Sequence, residues 1–206
     1  MHSESSPFDP RPSALVRLMV HLSEGVLACE KAVVGALMAL ILTLILANVA
    51  TRYAGAPLYW VDEAAVYAMV WLAFIGASAL TRLRLDFSVT LISDKLSRNN
   101  ARRMKAVASL FGAVFAFALG VMCWRWMDPV GIASAGFDAK VYAGQSFNFL
   151  YTEQTQTLRW PTWAVSIVIP IFAATMLVHT LANLLEDLGL SPPRSHPGFT
   201  SAEGVN

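Results

Sequence analysis

The sequence predicts an all-α integral membrane protein: four transmembrane helices, an N-terminal interfacial amphipathic helix, and both termini cytoplasmic. Three observations lead there. The 206-residue chain is 56% hydrophobic and only 14% charged, with a mean hydropathy of +0.52, whereas soluble domains carry about a quarter charged residues. Four runs are free of charge and long enough to cross a bilayer. Basic residues gather on alternate sides of those runs.

The tail 1–12, with Pro7, Pro10 and several serines, has the composition of a disordered segment, as does the Pro/Ser/Gly-rich stretch 188–206. Between them lies one membrane domain, 13–187. Its first element, Ser13 to Lys31, sets Leu15, Leu18, Met19, Leu22 and Val26 near one helical face and Arg17, His21, Glu24 and Lys31 elsewhere, the pattern of a helix lying along an interface. The first run, Ala32 to Ala50, has 19 residues without charge; at about 1.5 Å per residue it covers roughly the 30 Å of a hydrocarbon core. It begins too far into the chain, and is too long, for a cleaved signal peptide. Ala64 to Thr81 (18 residues), Ala106 to Trp124 (19) and Trp160 to Leu185 (26, with His179 uncharged) repeat the pattern. As helices they satisfy their own backbone in lipid.

The segment Arg82 to Lys105 holds seven of the fifteen Lys and Arg residues, and together with residues 1–31 and 186–206 it holds eleven, against four in the other two connections. The positive-inside rule therefore makes that loop and both termini cytoplasmic. Within it Leu85, Val89, Ile92 and Leu96 repeat at helical spacing and suggest a second interfacial turn. The segment 126–159, punctuated by Gly131, Gly136 and Gly144 and rich in aromatics, fits a periplasmic cap or a partner surface, and its pattern predicts no fold.

Function classes narrow by what the runs contain. A net charge of +1 gives no reason to expect a nucleic-acid partner. Cys29 and Cys123 lack metal or disulfide spacing and are expected to be small buried apolar residues. No phosphate-binding GxxxxGK[ST] stretch occurs, and no catalytic, metal or cofactor site is expected. Self-sufficient transporters of charged solutes place ionisable groups or broken helices at midplane. Here Thr43 and Asn48 are the only strong polar groups deep in the first run, the second has Ser78 and the third Ser109, and Pro170 is the one proline well inside a run. Two stripes of small residues, Gly35-Ala39-Thr43-Ala47 and Ala108-Gly112-Ala116-Gly120, allow close helix packing, inside the chain or against a second protein. A haem or quinone protein using His21 and His179, and an autonomous oligomeric transporter, are the rival readings.

Asp62 and Glu63 open the second run, where the positive end of the helix dipole favours negative charge. They serve either as a helix start, with Tyr59 and Trp60 as belt residues, or as a charged contact to a partner together with Arg52. As neighbours on a helix they point apart and do not form an acid/base pair.

The stretch "NVATRYAGAPLYWVDEAAVYAMVWLAFIGASALTRLRLDFSV" has an N-x-x-x-R-Y close to the first run, a Trp and acidic pair opening the second, then W-L-x-F-x-G-A and a basic turn. "RWPTWAVSIVIPIFAATMLVHTL" has a Pro-Trp entry and a central proline. In these features the chain, over about Lys31 to Asp187, resembles the DctQ-like small membrane subunit of tripartite ATP-independent periplasmic (TRAP) transporters. Where the family commonly has a histidine after the basic turn, this chain has Asp86. The resemblance implies a non-catalytic scaffold in a bacterial inner membrane, bound to a larger ion-coupled membrane subunit and served by a periplasmic solute-binding protein in organic-acid uptake. It also implies Arg52, Trp60, Asp62, Glu63 and Trp71 as partner-interface or framework residues, with Tyr53 and Trp160 as weaker candidates.

Overall fold

The computed structural model describes residues 13–85, 98–192 and 194. The tail 1–12, the Val89-Ile92-Leu96 repeat, Asp86 and nearly all of the stretch beyond Ser191 lie outside the described residues. Among the described residues the long elements are all helical, and four are long and apolar enough to cross a membrane.

Helix α1, Ala14–Tyr53, runs unbroken for 40 residues, about 60 Å. The amphipathic segment and the first charge-free run are thus one helix rather than two. Ser13 caps its start by accepting from the Val16 amide. Its end is closed by Gly55, whose φ of 75° lets the Ala56 amide reach back to the Thr51 carbonyl. The first half turns Val16, Val20, Ser23, Leu27 and Glu30 inward, a 4-3-4-3 spacing. Leu15, Leu18 and Leu22, on the expected apolar face, point outward, away from the bundle. Two of the five inward residues are polar and find partners across the bundle, so hydropathy does not mark that face.

Helix α2, Trp60–Leu83, lies antiparallel to α1. Helix α3, Arg98–Met127, is followed by two short helices, α4 (Pro129–Ser134) and α5 (Ala139–Ser146), capped by the carboxylates of Asp128 and Asp138. The last run is split into α6, Thr162–Ser166, and α7, Val168–Asp187. The break at Ile167 follows from Pro170, which has no amide proton for the Ser166 carbonyl and whose ring crowds it. Helix α7 ends in a turn built on Gly189, φ 78°, with the Leu190 amide on the Leu185 carbonyl.

Helix α7 is the hub: it packs on α1, α2 and α3, whereas α3 meets the other long helices chiefly through α7. The small stripe of α3 makes that contact, since a Cβ on Gly112 would sit 3.0 Å from Thr180 Cγ2 and one on Gly120 3.9 Å from Ala173 Cβ. Phe74 and Phe172 meet edge-on at 5.3 Å between α2 and α7. The second half of α1 rests on α2 through half-buried Val34, Leu37, Ile41, Leu44 and Asn48, and leaves its Gly35-Ala39-Thr43 side open. Cys123 is buried as expected. Cys29 is exposed, because it lies on the flank of α1 away from α2 and α7.

Candidate functional site: polar clamps at both ends of the helices

Polar side chains gather at the two ends of the helical assembly. At the end formed by the start of α1 and the close of α7, Arg82 has a side chain with no exposed surface, beside Glu186 with 1%. Its guanidinium donates to Glu24 Oε1 (3.0 and 2.6 Å), Asn183 Oδ1 (2.7 Å) and Glu186 Oε1 (2.7 Å). Arg84 donates to Asp187 Oδ1 at 2.7 Å and to the Asn183 carbonyl at 3.0 Å. Asp187 also accepts from Ser109 Oγ at 2.9 Å, and its carbonyl from Arg102 Nε at 2.7 Å. Two arginines thus pair with three carboxylates, a third bonds a helix-end carbonyl, and each of the four long helices contributes. Such a planar, multiply bonded guanidinium is suited to a desolvated position where a lysine would leave acceptors unpaired.

One turn deeper, His179 is fully buried, with Nδ1 2.8 Å from Ser23 Oγ and Nε2 3.0 Å from Glu30 Oε2. Both ring nitrogens are engaged, so neither is free for an axial bond to a haem iron. Glu30 Oε1 is the one buried side-chain oxygen without a partner among the described residues.

At the opposite end, Arg52 Nη2 donates to Asp62 Oδ2 at 2.8 Å, Arg52 Nε to Asn48 Oδ1 at 2.9 Å, and Asn48 Nδ2 to Asp62 Oδ1. The α1–α2 hairpin is pinned by this triad. Glu63 points the other way, as adjacent helix positions must. It accepts the amides of Gln156 (2.8 Å), Thr157 (2.7 Å) and Leu158 (2.8 Å), and the Thr157 hydroxyl. Three consecutive amides converge on one carboxylate, which fastens the long connection to the start of α2. Trp71 Nε1 donates to the Val165 carbonyl at 2.9 Å, an acceptor that the break before Pro170 leaves without its usual helical donor. The connection is also tied to α3: Asn148 Nδ2 donates to the Trp126 carbonyl (2.7 Å) and Tyr151 OH to the Met127 carbonyl (2.5 Å). Burial, then the neighbouring Tyr142 and Asp128, push the Tyr151 phenol up, which keeps it a protonated donor.

Of the sequence candidates, Arg52 and Asp62 are brought together, Glu63 and Trp71 reach the last connection and last helix, and Trp60 stays exposed beside still more exposed Tyr53 and Tyr59. Trp160 is exposed as well, and its backbone amide bonds Thr155 Oγ1. Sequence reasoning missed the Arg82 cluster and the Ser23-His179-Glu30 trio. The available signal was acid on α1 (Glu24, Glu30) and at the close of α7 (Glu186, Asp187), facing the arginines counted only as topology markers.

Between the two clamps, the described polar contacts are Ser78 Oγ with Thr175 Oγ1 at 2.7 Å and hydroxyls bonded to their own helix, such as Thr43 on the Ala39 carbonyl. An all-helical fold with four helices long and apolar enough to cross a membrane is that of a transmembrane protein. The matching family model is that of the tripartite ATP-independent periplasmic transporters, DctQ component, over residues 41–190, and the chain belongs to this family. It is a small TRAP transporter subunit, a transporter component and not an enzyme. No match was found among curated proteins or among solved structures.

Proposed function

We propose that this subunit is a stationary scaffold for a larger, ion-coupled membrane subunit that takes up an organic acid delivered by a periplasmic solute-binding protein. The membrane is a bacterial inner membrane, with the Arg82 cluster and both termini on the cytoplasmic side and the Glu63 clamp on the periplasmic side. The Lys/Arg distribution supports that orientation. What carries the scaffold reading is that the polar groups of the spans are used to hold helices together at the two ends, leaving no ladder of ionisable groups across the middle among the described residues.

The two small stripes suggest how the partner docks. That of α3 is filled by α7, while that of α1 is open: a Cβ on Gly35 would meet nothing within 4 Å. In lipid, close backbone approach drives helix association, so we assign the Gly35-Ala39-Thr43 face of α1 to the large subunit. The Arg52–Asp62 pair lies with Asn48 on the opposite, α2-facing side of α1 and, with Glu63 and Trp71, holds the frame.

The test is co-purification. A Gly35→Leu, Ala39→Leu double variant should fold and insert normally, lose the tagged large subunit and abolish solute uptake by cells. Retained co-purification with normal uptake would overturn the docking face. Uptake by liposomes holding this chain alone would overturn the scaffold.

A further inference from the structure

The long connection from Asp128 to Pro161 exposes several large apolar side chains. Val130, Phe137, Val141, Phe147 and Phe149 are all exposed, Phe137 at 76% and Phe147 at 80%. Phe137 (φ 60°), three residues past α4, and Phe147 (φ 55°), directly after α5, both occupy the left-handed backbone region, where glycine or asparagine is favoured and a bulky side chain is strained. In water each ring would be unfavourable twice, through its backbone and through its exposed surface.

The carboxylates beside these rings are engaged by local donors. Asp128 accepts from the Gly131 amide and Tyr142 OH, and Asp138 from the amides of Lys140 and Val141. The connection is also anchored low, to the Trp126 and Met127 carbonyls at the end of α3 and to Glu63 at the start of α2. Both its ends are flanked by exposed tryptophans, Trp124 and Trp126 before it and Trp160 and Trp163 after it, the residues that sit at headgroup level.

We propose that this connection lies in the headgroup and upper acyl layer of the bilayer, with Phe137, Val141 and Phe147 inserted among lipids, rather than standing in water as a protein-docking cap. Burying aromatic rings at the interface offsets the strained backbone that presents them, and a connection held flush in this way broadens the subunit's footprint in one leaflet.

The experiment is spin-label depth measurement on the full chain, reconstituted in phosphatidylcholine/phosphatidylglycerol vesicles. Cys29 and Cys123 are first replaced by serine. Nitroxides at Phe137→Cys and Phe147→Cys should relax with oxygen several-fold more than with a water-soluble nickel chelate, and a label at Glu153→Cys should show the reverse. Val141→Cys reports the same face if a phenylalanine variant fails to fold. Nickel accessibility equal to that at position 153 would place the connection in water and overturn the proposal. Protection from both relaxants would do so too, by revealing protein instead of lipid against the rings.

Discussion

Replacing Arg82 with leucine tests the reasoning where it is most exposed to failure. The side chain makes four bonds to three acceptors. Leucine keeps part of the apolar stem and removes all four. Glu24, a quarter exposed, can turn to water. Glu186, at 1%, cannot, and is left with Arg84 at 3.4 Å. Removing one partner of a buried ion pair costs about 3–5 kcal/mol. At about 2–4 °C per kcal/mol for a chain of this size, the unfolding midpoint should fall by roughly 6–20 °C. Cys123, buried on α3, reports unfolding through a thiol-reactive dye in a Cys29→Ser background in mild detergent. Adding Glu186→Gln to Arg82→Leu should recover part of the loss, because a stranded charge costs more than a stranded amide. The reasoning is refuted if Arg82→Leu falls no further than Arg52→Leu, whose exposed pair is worth under about 1 kcal/mol, or if the double variant is no better than the single.

Three further outcomes follow from the geometry. Glu63→Ala frees the amides of residues 156–158, so trypsin should cut the folded protein after Arg159 faster than in the parent, while Asp62→Ala leaves that rate unchanged; equal rates would mean the Glu63 clamp does not hold the connection. Gly112→Leu drives a side chain into Thr180 and should cost about 1–3 kcal/mol by overpacking, read as a lower midpoint in the same dye assay. Trp71→Phe removes the donor to the Val165 carbonyl at a cost of about 0.5–1.5 kcal/mol; in a Pro170→Ala background, where the helix can be rebuilt through the former break and the Ile169 amide can serve that carbonyl, the same substitution should cost measurably less.

The four apolar helices were legible because length and lack of charge are local properties. Ala64 to Thr81 reads as a span wherever the rest of the chain lies, and α2 differs from it only by four residues at its start and two at its end. The acidic start of α2 was legible too, but not its division of labour, because Asp62 and Glu63 look alike in sequence and differ only in what lies across from them. Pro170 marked a break whose consequence, a bare Val165 carbonyl for Trp71, depends on two helices lying side by side. Val16, Val20 and Leu27 were missed as the inner face of α1 because Ser23 and Glu30 share it.

Sequence by itself determined a membrane protein of four spans and its family, since hydropathy, charge-free length and short motifs act over a few helical turns. Only the tertiary structure decided which polar groups neutralise one another, Arg82 with residues 58 and 104 positions away, and which of two similar small-residue stripes is already filled. The physical reason is that a low-dielectric interior makes each charge depend on its partner, and that partner is fixed by how helices pack rather than by neighbours along the chain.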